Sequence, residues 1–124
     1  MAIQWFPGHM NKAKKAIAER AKSVDMVIEM LDARMPASSE NPLLAQLSKG
    51  KSKLKILNKQ DLADPERTKI WLEHYNSRPD TRAIALDSSE TGAHGKITQA
   101  CRAMIPHRQG IEKPLRVLIC GIPN

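Results

Sequence analysis

Four short apolar runs punctuate the chain, and the hydrophobic period changes in the segments between them. Met26-Val27-Ile28-Glu29-Met30-Leu31, Leu54-Lys55-Ile56-Leu57, Arg82-Ala83-Ile84-Ala85-Leu86 and Leu115-Arg116-Val117-Leu118-Ile119-Cys120 each have the length and composition of a strand. The last is so continuously apolar that it reads as a strand covered on both faces. Helical spacing fills the intervals. Asn41-Pro42 sets an N-cap before a proline at the first helical position and opens Leu43-Leu44-Ala45-Gln46-Leu47. Asp64-Pro65 repeats the device ahead of Ile70-Trp71-Leu72-Glu73-His74-Tyr75. Ile97, Ala100, Cys101 and Met104 follow i, i+3, i+4, i+7 spacing, and Pro106 stops that helix. An earlier helix is predicted over about Asn11 to Lys22. Met10, Ala13, Ile17, Ala21 and Val24 line one of its faces, and Lys12, Lys15, Glu19 and Lys22 the other.

Strands alternating with helices imply parallel strands joined by right-handed crossovers, hence an α/β sheet. With 124 residues and no internal repeat or linker, the chain makes one domain. Hydrophobic content of 41% and charged content of 27% are those of a globular protein, which excludes disorder. No apolar run reaches the roughly 18 residues of a membrane span, and Met1-Ala2-Ile3-Gln4-Trp5 lacks the features of a signal peptide. A membrane is therefore not an expected partner. Cys101 and Cys120 fall outside any Cys-x-x-Cys spacing and read as reduced thiols. His74, His94 and His107 have no metal-ligand spacing. The charge is more pointed. Twenty Lys and Arg against 13 Asp and Glu give a net +7, which attracts polyanions, although a solvated basic face has the same composition. Lys12, Lys14, Lys15 and Lys22, with Lys49, Lys51, Lys53 and Lys55, are the candidate phosphate contacts.

In a parallel sheet, ligands bind beyond the carboxyl ends of the strands, so the residues following each apolar run carry the candidate chemistry. After the second run comes Asn58-Lys59-Gln60-Asp61, the pattern Asn-Lys-x-Asp. A carboxylate at Asp61 can accept from the guanine N1-H and 2-amino group together. Adenine lacks both donors and would leave the carboxylate desolvated and unpaired. Asn58 can tie the loop to its neighbours, and the Lys59 stem can lie over the purine. A surface turn offers the same four residues. After the third run, Asp87-Ser88-Ser89-Glu90-Thr91-Gly92 can present a backbone N–H to the guanine carbonyl, or simply lead into a helix. After the fourth, Gly121-Ile122-Pro123-Asn124 has the form in which a phosphate-binding loop begins. The first run opens onto the polar Asp32-Ala33-Arg34-Met35-Pro36-Ala37-Ser38-Ser39, read as a long loop. Trp5-Phe6-Pro7-Gly8-His9-Met10 can act as a hydrophobic staple for the first helix.

Taken in order, WFPGHM, DARMPASSENP, NKQD and GIPN resemble the ribosome-biogenesis GTPase A family over essentially the whole chain. The resemblance implies a three-layer P-loop NTPase fold, a Ras-like G domain circularly permuted so that the guanine motifs precede the P-loop. Residues 1–124 would be its N-terminal part, interrupted within the P-loop. It implies GTP and GDP as ligands, with magnesium and potassium, and hydrolysis of GTP by the intact family member in the cytoplasm during maturation of the large ribosomal subunit. This chain, with most of the phosphate site missing, is expected to be inactive. Asn58, Lys59 and Asp61 would recognise guanine with help from Asp87 and Ser88. Gly121, Ile122, Pro123 and Asn124 would begin the phosphate loop, Asn124 lying near the potassium ion. The family lacks the usual catalytic glutamine, and His9 stands at the histidine proposed to replace it, where a neutral imidazole could orient the attacking water. The partners implied are the large-subunit precursor and its ribosomal RNA. Glu40 departs from the basic residue common before Asn-Pro, and Asp87-Ser88-Ser89 from the commoner Ser-Ala loop.

An alternative from another class is a non-catalytic RNA- or ribosome-binding module that keeps the fold. Mapping the chain onto the permuted order predicts four parallel strands, with Leu115–Cys120 at an edge beside Met26–Leu31, then Leu54–Leu57, then Arg82–Leu86. An apolar edge invites self-association, aggregation or capture by a partner.

Overall fold

The computed structural model describes the backbone of residues 7–87, 91–105 and 116–121, and side chains from residue 15 onward within those spans. In chain order the elements are α1 (Pro7–Ser23), β1 (Met26–Asp32), α2 (Pro36–Ser39), α3 (Pro42–Leu47), β2 (Ser52–Asn58), a 3₁₀ turn (Gln60–Leu62), α4 (Pro65–Asn76), β3 (Thr81–Ala85), α5 (Ala93–Met104) and β4 (Val117–Gly121). The helices expected after Asn41-Pro42 and Asp64-Pro65, α3 and α4, start where their caps predict. The Asn41 side chain accepts from the Leu43 N–H, and the Asp64 side chain from the Glu66 N–H.

All four strands are parallel, in the order β3-β2-β1-β4. This is the predicted order, with the last strand at an edge. The direction of travel explains the layers. From β1 to β2 to β3 the chain steps one way across the sheet, and from β3 to β4 it steps back, so right-handed crossovers send the connecting helices to opposite faces. Side-chain alternation agrees. Met26, Ile28, Leu54 and Ile56 face α5, packing with Ala100, Cys101 and Ile105. Leu31, Leu57 and Ala83 face α4, packing with Tyr75, Trp71 and Leu72.

Glu29 and Lys55 interrupt the apolar runs on the α4 face, where they are register partners on β1 and β2. They form a buried ion pair, and the second Glu29 oxygen accepts from the Asn41 N–H at 2.8 Å. Lys55 is therefore not part of a phosphate-contacting surface, which corrects the expectation drawn from its position in a lysine-rich stretch. Other boundaries differ as well, those of β1, β2 and β3 by only one or two residues. The first helix begins at Pro7, four residues earlier than its apolar face indicates. The last strand is Val117–Gly121 rather than Leu115–Cys120. The loop after β1 contains the one-turn helix α2.

Candidate functional site at the carboxyl edge of the sheet

Four strand ends come together along one edge. At the end of β2, Lys59 adopts a left-handed conformation (φ 61°, ψ 36°), which costs a non-glycine residue about 1–2 kcal/mol. The strain is held by the turn that follows. The Gln60 N–H donates to the Leu86 carbonyl at 3.0 Å, and the Leu86 N–H donates to the Leu57 carbonyl at 2.9 Å. These bonds zip the Asn58–Asp61 loop to the end of β3 and place it beside Asp87. On the other side, the Ala33 N–H donates to the Asn58 carbonyl at 2.8 Å, and Asp32 is the register partner of Asn58. The loop is thus fixed from both neighbouring strands by main-chain bonds. Gln60, the variable position of the motif, supplies one of them, and no sequence signal marks it for that work.

Asp61 is exposed and makes no hydrogen bond or ion pair with another described residue, so both carboxylate oxygens remain available to a ligand. Asp32 is different. Arg34 donates to it from Nε at 3.0 Å, from Nη2 at 2.7 Å and from its backbone N–H at 2.9 Å. The Arg34 side-chain hydrogen bonds hold the Asp32 carboxyl down at about 2, against the opposing effect of burial, and the Lys59 charge adds to the lowering. The Asp32 N–H is satisfied by the Ser39 hydroxyl at 3.0 Å, and that hydroxyl in turn donates within the turn, toward the Met35 and Pro36 carbonyls. What reads as a loose polar loop is a stapled turn. Its signals, Asp two before Arg and a Ser at its close, are too common to mark it.

Glu40 has a local role as well. It accepts from the Tyr75 hydroxyl and pairs with Arg78 at 3.6 Å, and Arg78 lies 4.9 Å from the Tyr75 ring centroid. Burial and this carboxylate push the Tyr75 hydroxyl well above its ordinary range. The acid before Asn41-Pro42 therefore anchors α3 to α4.

Gly121 closes β4 opposite Met30 of β1. A Cβ there would sit 2.7 Å from the Met30 Cβ, so close strand approach by itself requires glycine at this position. Asp32 and Met30 put the end of β1 between Gly121 and the Asn58–Asp61 loop, at the point where strand order reverses and α/β sheets bind ligands. His9 lies in α1, but its side chain, with Ser88, Ile122, Pro123 and Asn124, falls outside the described residues. Cys101 is buried and Cys120 half-buried. Burial pushes both thiols up, and Glu29 adds to the effect at Cys120, which favours the protonated form over the nucleophilic thiolate. Among the described residues, no cluster of His, Cys, Asp or Glu could hold a metal ion, and no helix is long and apolar enough to cross a membrane.

No family model matches the sequence. Curated relatives match it throughout. Ribosome biogenesis GTPase A of Bacillus cereus is 38% identical over 131 residues, an alignment covering 100% of this chain and 44% of that protein. The protein of the same name from Priestia megaterium is 37% identical over 132 residues, covering 100% of the chain and 46% of the relative. Mitochondrial ribosome-associated GTPase 1 of Mus musculus is 53% identical over 125 residues, covering 98% and 38%. The chain spans a little under half the length of the bacterial relatives.

Proposed function

We propose that this chain, which relatives named ribosome biogenesis GTPase A match along its whole length, is the guanine-recognising part of a GTPase of large-subunit maturation. Residues 1–124 form part of a circularly permuted G domain in this reading, working in the cytoplasm with ribosomal precursors and their RNA. The observation that carries it is the Asn58–Asp61 loop, held from β1 and β3 at the carboxyl edge of the sheet with the Asp61 carboxylate open.

Asp61 accepts from the guanine N1-H and 2-amino group, while the Lys59 stem covers the purine. Asp87, joined to the loop through the Leu86–Gln60 bond, and Ser88 border the base from β3. A nucleotide so placed crosses the end of β1 toward Gly121, two strands along the same edge from the Asn58–Asp61 loop, where Gly121, Ile122, Pro123 and Asn124 would begin the phosphate loop. Magnesium would neutralise phosphate charge when bound with the nucleotide, and Asn124 would be the residue to hold potassium. His9 orients the attacking water as a neutral imidazole, and positioning of this kind supplies much of phosphoryl-transfer catalysis.

NMR titration of the chain with GTP and with ATP at millimolar concentration tests base choice. GTP is expected to move the amides of Asn58–Asp61 and Asp87 while ATP leaves them in place. Asp61→Asn should relax the preference by roughly 1.5–3 kcal/mol, about ten- to a hundredfold, the worth of a charged hydrogen bond. Equal shifts from both nucleotides would sink guanine recognition and favour a module that binds the ribosome without hydrolysis.

A further inference from the structure

The opposite edge of the sheet, where the strands begin, carries cations that the candidate site does not use. Lys51 Nζ donates to the Val24 carbonyl at 2.8 Å, just beyond the end of α1, and Lys53 Nζ donates to the Lys51 carbonyl at 3.0 Å. Lys22, in the last turn of α1, and Lys49, in the turn before β2, are exposed and make no hydrogen bond or ion pair with another described residue. Gly50, at φ 85°, permits the turn that carries Lys49 and Lys51.

Partner type separates these lysines from Lys55. Glu29 cancels the Lys55 charge inside the sheet. Backbone carbonyls instead fix Lys51 and Lys53, leaving each ammonium charge in place while its side-chain freedom is already reduced. Burial lowers the Lys53 pKa, opposed by Asp80. The acids of this edge are few. Asp25 spends one oxygen on the Arg116 N–H, and Asp80 lies by Lys53. The carboxyl edge is more evenly mixed, with Asp32, Asp61, Asp64, Glu66 and Asp87 beside Arg34, Lys59 and Arg67.

We propose that Lys22, Lys49, Lys51 and Lys53 form a docking surface for an RNA sugar–phosphate backbone at the amino edge of the sheet. The proposal rests on the ribosomal reading above and names the face that serves it. Ammonium groups are compact point charges without the planar fork that reads bases, so the surface suits phosphates irrespective of sequence. The two edges stand about 20 Å apart, six rises of about 3.3 Å along the seven-residue β1 and β2, so RNA and nucleotide can be held together without competing.

Binding of fluorescent 30-nucleotide oligouridylate to the chain, measured from 50 to 200 mM salt, tests the assignment. Lys22→Glu/Lys49→Glu is compared with Arg67→Glu/Lys69→Glu, an equal charge change on exposed positions of α4. Each lost phosphate contact on a single strand lowers the slope of log K against log salt by about 0.7, so the first pair should lower it by about 1.4 and the α4 pair should not. Equal losses from both pairs, or none from Lys22 and Lys49, would overturn the surface while leaving RNA binding intact. An unmutated chain with no salt-dependent affinity for oligouridylate or for a ribosomal RNA transcript would instead remove the RNA partner from the proposed function. Circular dichroism melts of each variant establish that folded proteins are being compared.

Discussion

Glu29 and Lys55 show what a single residue commits the fold to. Each sits in an apolar run, and each is almost fully buried, at 3% and 4% exposure. Desolvating both charges costs several kcal/mol per ion, recovered through their contact and through the Asn41 N–H that completes the Glu29 carboxylate. Removing one partner leaves the other charge buried and alone. Lys55→Met or Glu29→Leu is therefore expected to destabilise the chain by about 3–5 kcal/mol, and the double substitution by much less. Urea denaturation of the four proteins checks this, and additive losses would show that the two groups act separately. Neither residue is legible from the sequence as a pair, because a charged residue in a strand normally marks a solvent face. Only the register, which sets position 29 opposite position 55, reveals the partner. Lys59 and Gln60 are similar cases: a lysine carries no preference for left-handed backbone, and a variable motif position gives no sign that its N–H holds the loop.

At the scale of elements, the legible parts are those with local chemistry. Asn41-Pro42 and Asp64-Pro65 start α3 and α4 through caps that each involve only the first turn. The spacing of Ile97 to Met104 gives α5, whose Ala100 and Cys101 are buried. The turn from Asp32 to Ser39 was hidden because it is stabilised by a staple between an acid and an arginine rather than by an apolar period. β4 has one contact too close for any side chain. Its Gly121 lies against Met30, and a methyl group there has no room without a shift of strand or side chain. Gly121→Ala should lower stability by about 1–3 kcal/mol, the usual cost of overpacking, and should strip hydrogen-exchange protection from Val117–Gly121 first. Loss of protection spread evenly over all four strands would show that β4 is not a separately weakened element. The same glycine is proposed to begin the phosphate loop, so its presence is doubly determined, and its identity alone does not argue for phosphate.

For the molecule as a whole, the strand order was legible because the alternation of elements left few topologies and the motifs selected one. The conflict foreseen there is present in the structure. β4 has the composition of a central strand, yet among the described residues it pairs with β1 alone, and Ile119 is 64% exposed. Ile119 lies on the face that α5 covers over β1 and β2, where its register partner Ile28 is buried at 2% exposure. An edge of this kind offers unpaired N–H and C=O groups beside apolar surface, which a second copy of the chain can match by continuing the sheet. The chain is thus expected to self-associate as its concentration rises, and Ile119→Lys should shift it toward monomer by setting a charge on that edge. Its remaining strands should be unaffected, because the substituted side chain is solvent-facing. Light scattering across a concentration series, run on both proteins, reads the outcome. A monomer at every concentration would remove β4 as an association surface without disturbing the topology. Association that persists unchanged in Ile119→Lys would place the contact on another face, since a buried, unpaired ammonium at the proposed interface would cost more than the apolar contact it replaces.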